Sequence, residues 1–155
     1  QNTSILPFTM STPWTNMHKI CMAFDCETDI IDTQTLEKYK SQVNQNTING
    51  STPLHFVALG TNVQLATWLI ENGAEFILND ELQSPLHWAC KRGYLPMIKL
   101  LLTHIPTNMI RQTDDEGNTA YDWTVEYEHK TVSRIIKSAG SNQKSKKKYT
   151  AAKIW

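Results

Sequence analysis

Gly50-Ser51-Thr52-Pro53-Leu54-His55-Phe56-Val57-Ala58 and Leu82-Gln83-Ser84-Pro85-Leu86-His87-Trp88-Ala89-Cys90 are two versions of one phrase, with their prolines 32 residues apart. A third version, Gly117-Asn118-Thr119-Ala120-Tyr121-Asp122-Trp123-Thr124-Val125, sets Ala120 35 residues after Pro85. Behind each phrase runs an apolar stretch of helical period: Val63 to Asn72, Pro96 to His104, and Thr131 to Ala139. Recurrence at this spacing marks a repeat architecture, in which each unit buries its apolar face on its neighbours.

The phrase is a helix start written in chemistry. Thr52, Ser84 and Thr119 supply hydroxyls that can accept from an orphan N–H of the first turn. Pro53 and Pro85 then fall at the first helical position, where a missing N–H costs nothing. Gly73 and Gly140 fit the left-handed residue that stops a helix. Asn49-Gly50 and Glu116-Gly117 are turn dipeptides ahead of the caps. Leu65, Trp68 and Leu69 share one helical face, as do Met97, Leu100 and Leu101. Each phrase therefore predicts one helix–turn–helix unit.

With these residues the sequence resembles the ankyrin repeat family. Thr52-Pro53-Leu54-His55 and Ser84-Pro85-Leu86-His87 match its Thr-Pro-Leu-His signature, and Asn72-Gly73-Ala74-Glu75-Phe76 matches its Gly-Ala-Asp-Val end. The resemblance covers residues 33–140, and 12–140 with an atypical first unit. It implies an all-α solenoid of stacked antiparallel helix pairs with short hairpin loops. The expected units are a degenerate one over about 12–48, opened by Ser11-Thr12-Pro13-Trp14 with an insertion at Asp25–Asp29, full ones over about 49–80 and 81–113, and a capping one over about 114–140. Glu126, Glu128, Lys130 and Lys137 give that cap its wettable polarity. The Gly73-to-Pro85 connection is one residue short of the family pattern and has Leu82 near the turn glycine, which predicts a tightened or distorted hairpin.

The chain has 155 residues, 40% hydrophobic and 19% charged, with a formal net charge of +0. These values fit one globular domain. The longest apolar runs fall far short of the roughly 18 residues that span a bilayer. Neutrality hides an asymmetry. Residues 1–128 hold all 15 acids and 7 Lys+Arg, whereas residues 129–155 hold 8 Lys+Arg and no acid. Cys21, Cys26 and Cys90 form no disulfide framework, which predicts a reducing, cytoplasmic or nuclear compartment. The first residue is Gln1, and residues 1–10 lack a signal-peptide pattern, so an excised or processed chain is expected.

Residue patterns for chemistry are sparse. His55 and His87 are expected to bond the neighbouring hairpin and their own cap hydroxyls, as the resemblance implies. His87 with Cys90, or His18 with Cys21 and Cys26, lack the further ligands a metal site needs. Cys90 aligns with Ala58 and Val125, small core positions. Asp114-Asp115-Glu116 precedes a turn glycine and is expected to be a solvated turn. No phosphate-cradling glycine loop, Gly-x-Ser-x-Gly or His-Glu-x-x-His motif occurs. We therefore expect no enzyme, no cofactor, no metal and no small-molecule substrate.

The resemblance implies binding through a concave groove made by the first helix of each pair and the hairpin tips. Phe56, Trp88 and Trp123 occupy one aligned position and would line that groove. Leu59, Lys91, Arg92, Glu126 and Tyr127 follow at the helix ends, and Leu82, Gln83 and Asn118 stand at the tips. Lys91-Arg92 beside Trp88 suits an acidic or aromatic-anchored peptide. The expected function is a monomeric, non-catalytic module that binds a protein or peptide, with nucleic acid disfavoured. The alternative is the targeting region of a larger enzyme or membrane protein, because Leu86-His87-Trp88-Ala89 resembles repeats of ankyrin-containing protein acyltransferases. Residues 141–155 are expected to be a basic tail or linker, with Lys144-Ser145-Lys146-Lys147-Lys148 compatible with a nuclear address or with an anionic membrane surface.

Overall fold

A computed structural model describes residues 14–141. Among the described residues it contains eight α-helices and no strand. They are α1 (Asn16–Ala23), α2 (Thr33–Lys38), α3 (Pro53–Ala58), α4 (Val63–Glu71), α5 (Pro85–Arg92), α6 (Leu95–His104), α7 (Ala120–Glu126) and α8 (Lys130–Ser141). Two 3₁₀ turns, Lys40–Gln42 and Thr107–Met109, follow α2 and α6. The odd-numbered helices pack in order, α1 on α3, α3 on α5 and α5 on α7, as one layer. In the second layer α4 packs on α6 and α6 on α8, and α3–α4, α5–α6 and α7–α8 pack within their pairs. The result is the expected all-α solenoid.

The core runs through the whole stack. Leu54, Leu69, Leu86, Met97, Ile98, Leu101 and Ile136 are among its fully buried side chains. The capping chemistry repeats with small variations. Ser84 and Thr119 accept through their side-chain oxygens from the N–H of His87 and Asp122. Pro53 and Pro85 sit in the first helical turn. Gly73, at φ +99°, closes α4 with a pair of bonds, Gly73 N–H to Ile70 O at 3.2 Å and Ala74 N–H to Leu69 O at 2.9 Å.

Several expectations need correction. The first unit opens at Thr15, whose hydroxyl accepts from the His18 N–H; Thr12 and Pro13 lie outside the described residues. The aligned caps are therefore Thr15 and Thr52, 37 residues apart, with Asn16-Met17-His18 in the place of Pro-Leu-His. Gly140 does not end α8, which continues to Ser141. Gly93 is a helix stop that periodicity did not single out; it caps α5 at φ +76°. The insertion at Asp25–Asp29 needs no correction: it is the expected loop, held by the Thr61 N–H on Asp25 O at 2.6 Å and by Asn62 Nδ2 on Phe24 O at 3.0 Å.

The hairpin at Leu82 is not distorted. Thr47, Asn79 and Asp114 each donate N–H to the carbonyl four residues on, Ser51, Gln83 and Asn118, at 2.8–3.0 Å. The fourth residue of each turn is left-handed: Gly50 at φ +78°, Gly117 at +83° and Leu82 at +59°. Leucine takes the glycine conformation without changing the turn, at a cost of about 1–2 kcal/mol. Successive hairpins also bond each other, Asp80 N–H to Asn49 O and Asp115 N–H to Glu81 O, both at 2.9 Å.

Candidate partner-binding site

The inner layer is positioned by a relay of buried imidazoles. His18, His55 and His87 are fully buried at the third position of their helices. In each, Nδ1 accepts the backbone N–H of its own cap residue, Thr15, Thr52 or Ser84, at 3.1–3.2 Å. That acceptance assigns the proton to Nε2. Nε2–H then donates forward to the next hairpin: His18 to Ser51 O at 3.2 Å, His55 to Gln83 O at 2.8 Å and His87 to Asn118 O at 3.0 Å. Burial disfavours the imidazolium and lowers all three pKa values, that of His55 to about 4. These histidines are bonded structural groups with no freedom to act as bases.

The hairpins are set from inside by one polar side chain each. Asp114 is buried, contrary to the expectation of a solvated turn. Its Oδ1 accepts from Glu116 N–H and Asn118 N–H, and its Oδ2 from Trp123 Nε1 at 2.9 Å. Asn79 does the same work one unit earlier, its Oδ1 accepting from Glu81 N–H and Gln83 N–H. A repeated Asx turn is therefore the local signal that periodicity alone passes over.

On this frame the aligned aromatics form a line. Trp14 meets Phe56 with centroids 4.9 Å apart, and Phe56 meets Trp88 edge-on at 5.3 Å. Each also rests on the imidazole of the preceding unit: Phe56 on His18 at 5.5 Å, Trp88 on His55 at 5.1 Å and Trp123 on His87 at 5.4 Å. Trp88 is fixed by Nε1–H to Gln83 Oε1 at 2.8 Å. Phe56 is only 8% exposed, whereas Trp88 and Trp123 are half-buried and Trp14 is 40% exposed. Trp14 was not among the residues assigned to the surface from sequence, and its signal was its place just before the Thr15-x-x-His18 cap.

The helix ends gather a second group. Lys91 Nζ lies 5.8 Å from the centroid of Tyr127, and Tyr127 lies 6.3 Å from Trp123. Tyr127, rather than Trp88, is thus the ring that meets Lys91. Arg92 donates from Nη1 to Leu59 O at 3.3 Å. Lys91, Arg92 and Glu126 are exposed, Leu59 is half-buried and Tyr127 is 42% exposed. The tip residues stand apart at the hairpin edge: Leu82 is exposed, while Gln83 and Asn118 are half-buried and serve the frame through their carbonyls.

Reactive groups are accounted for elsewhere. Burial pushes the Cys21 thiol up to about 12 and raises that of Cys90 as well. Cys26 is exposed, and hydrogen bonding from Thr28 lowers its thiol pKa. Tyr94 donates its hydroxyl to Glu27 at 2.9 Å, which raises its pKa. Among the described residues no group of three or more His, Cys, Asp or Glu side chains is placed to hold a metal, and no helix is long and apolar enough to cross a membrane.

A family model of ankyrin repeats, three copies long, matches residues 17–109 and again 78–148. The palmitoyltransferase ZDHHC13 of Mus musculus is 40% identical over 53 residues, 33% of this chain and 8% of that protein. Alpha-latrotoxin-Lg1a of Latrodectus geometricus is 30% identical over 115 residues, 72% of this chain and 8% of the toxin. The "Probable 26S proteasome regulatory subunit p28" of Saccharomyces cerevisiae is 29% identical over 102 residues, 65% of this chain and 44% of that protein. The chain thus spans less than half the length of each of these relatives.

Proposed function

Because the chain belongs to the ankyrin repeat family, we propose that it is a non-catalytic module that holds a partner protein or peptide along the inner face of α1, α3, α5 and α7. The observation that carries this is the pairing of fixed rings with exposed charge. Trp88 and Trp123 have their indole N–H groups bonded to the frame, so their ring faces are held ready at low entropic cost. Beside them Lys91, Arg92 and Tyr127 stand exposed. Aromatic and Arg side chains of this kind are the usual energetic anchors of interfaces.

Such a surface suits a peptide that carries a carboxylate for Lys91 and Arg92 and an apolar or aromatic residue for Trp88 and Trp123. Phe56, covered by Trp14 and Trp88, supports the neighbouring rings rather than the partner. Leu59, Leu82, Gln83, Asn118 and Glu126 extend the surface to its two edges. The free thiols of Cys21, Cys26 and Cys90 agree with work in the cytoplasm or nucleus.

Affinity capture by the full chain, compared with variants, tests the reading. Trp88→Ala with Arg92→Ala is expected to abolish capture with the helical circular dichroism kept. Trp88 also packs on His55, so the exposed pair Lys91→Glu and Tyr127→Ala separates binding from stability. Capture unchanged by both pairs would move the site off this face.

A second reading has a specific observation behind it. The similarity to a palmitoyltransferase supports a role as the substrate-recruiting ankyrin region of a larger acyltransferase. In that role too the repeat stack binds and another segment performs the chemistry. Capture of acyltransferase substrates by the inner face, lost in the Lys91→Glu and Tyr127→Ala variant, would favour it.

A further inference from the structure

The inner face changes character along the stack. Seven residues after each cap, at the C-terminal ends of α1, α3, α5 and α7, stand Met22, Leu59, Lys91 and Glu126. Met22 is 47% exposed, Leu59 is half-buried, and Lys91 and Glu126 are exposed. An elongated partner lying along this rim therefore meets apolar surface, then a base, then an acid. Neither charge is neutralised within the stack. Among the described residues Lys91, Arg92 and Glu126 make no ion pair. Lys91 turns to the Tyr127 ring, 5.8 Å away, and Arg92 uses only Nη1, on Leu59 O.

Spacing selects the shape of that partner. The four inner helices pack in succession, and packed helices lie about 8–10 Å apart. A polyproline II segment has three residues per turn and rises about 3.1 Å per residue, so one turn covers about 9 Å. Its residues i, i+3, i+6 and i+9 share one side and stay in step with the four helices. A β-strand repeats its side chains every two residues, about 7 Å, and falls out of step. Polyproline II is also a major conformer of unfolded chains, so ordering it costs little, and aromatic-lined grooves are where it docks. The inner face has such a lining: Phe56 lies between Trp14 at 4.9 Å and Trp88 at 5.3 Å.

We propose that the partner of the inner face is a polyproline II segment with a fixed side-chain order at three-residue steps: apolar, apolar, acidic, basic. The two apolar residues meet Met22 and Leu59, the acid meets Lys91 with Arg92, and the base meets Glu126. The order supplies specificity, because reversing the last two places sets like charges against each other. This inference rests on the inner-face reading and deepens it.

Fluorescence-polarisation titration of the full chain with synthetic proline-rich peptides tests the order. The matched peptide carries Leu, Leu, Glu and Lys at three-residue steps, made in both chain directions, and one direction is expected to bind. Exchanging its Glu and Lys should weaken binding about tenfold or more. Lys91→Glu with Arg92→Glu should reverse the preference at the acidic place from Glu to Lys, and Glu126→Lys should reverse that at the basic place from Lys to Glu. Such a rescue is beyond a variant that has merely unfolded. Equal binding whatever the charge order overturns the proposal. So does a preference for steps of two or seven residues, which would make the partner a strand or a helix. No binding by any peptide, with protein capture still lost in the Lys91→Glu and Tyr127→Ala variant, overturns this inference alone. Capture unchanged in that variant overturns the inner-face reading beneath it.

Discussion

The third and fourth units start their inner helices in the same way but end the motif differently. In α5 the third residue is His87, which takes the Ser84 N–H on one nitrogen and reaches Asn118 O with the other. In α7 it is Asp122, whose Oδ2 takes both the Thr119 N–H at 2.9 Å and the Thr119 hydroxyl at 3.0 Å. A carboxylate caps a helix as well as an imidazole does, and it has no proton to pass on. The difference separates two functions that the histidine combines: closing its own helix and fastening the next hairpin. His87 performs both, whereas Asp122 performs only the first.

The comparison can be broken most severely from inside the stack. His55→Ala strips the Thr52 N–H and Gln83 C=O of their partners in a buried site. It is expected to cost about 3–5 kcal/mol, read as a lower denaturation midpoint in urea. Acid does the same by protonation. His55 has a lowered folded pKa, so the unfolded chain binds protons more readily. Its stabilising effect is complete above about pH 6.5 and is lost as pH falls toward about 4. The loss from this residue alone is about 3 kcal/mol, with His18 and His87 adding in the same direction. Thermal melts from pH 7 to pH 4 should fall steeply, and a His55→Gln variant should fall less.

Two smaller changes sharpen the contrast. Leu82→Gly relieves a left-handed leucine in a hairpin that otherwise matches its neighbours, and should raise stability by about 1 kcal/mol. The reverse change, Gly50→Leu, should destabilise, because Asp80 Oδ1 lies 2.7 Å from where a Cβ would stand. Asp122→His should shift stability least, by a few tenths of a kcal/mol, since an imidazole there can cap α7 as His87 caps α5. A large gain from Asp122→His would mean that a carbonyl acceptor already lies within its reach.

Where the sequence was legible, the signal was local and covalently enforced. Thr52-Pro53 and Ser84-Pro85 announce helix starts because proline fixes φ and tolerates no other place in a helix. The first unit was read out of register because Asn16 and Met17 replace proline and leucine, leaving only Thr15 and His18 to mark the motif. That error hid Trp14 as the cover of Phe56. The burial of Asp114 was illegible because its partners are mostly backbone groups, which look alike in every sequence. The hairpin at Leu82 was misjudged because a missing glycine reads as a broken turn, whereas the bonds around Asn79 hold the turn whichever residue stands there. Gly140 invited a helix stop that α8 does not make, for glycine permits a left-handed turn without requiring one. The aromatic line at the candidate site was legible from register, and its exposure was not, since exposure depends on which unit lies next.

The bonds between hairpins have a mechanical consequence. The junctions between the second and third units and between the third and fourth each carry one hairpin–hairpin bond and one histidine–carbonyl bond. A pull applied to the two ends of the stack loads these junctions in series, so every one feels the full force and none shares it. Extension would therefore proceed unit by unit, each release adding the length of one unit. The molecule would yield under tension like a chain of links, with the weakest junction deciding where it opens.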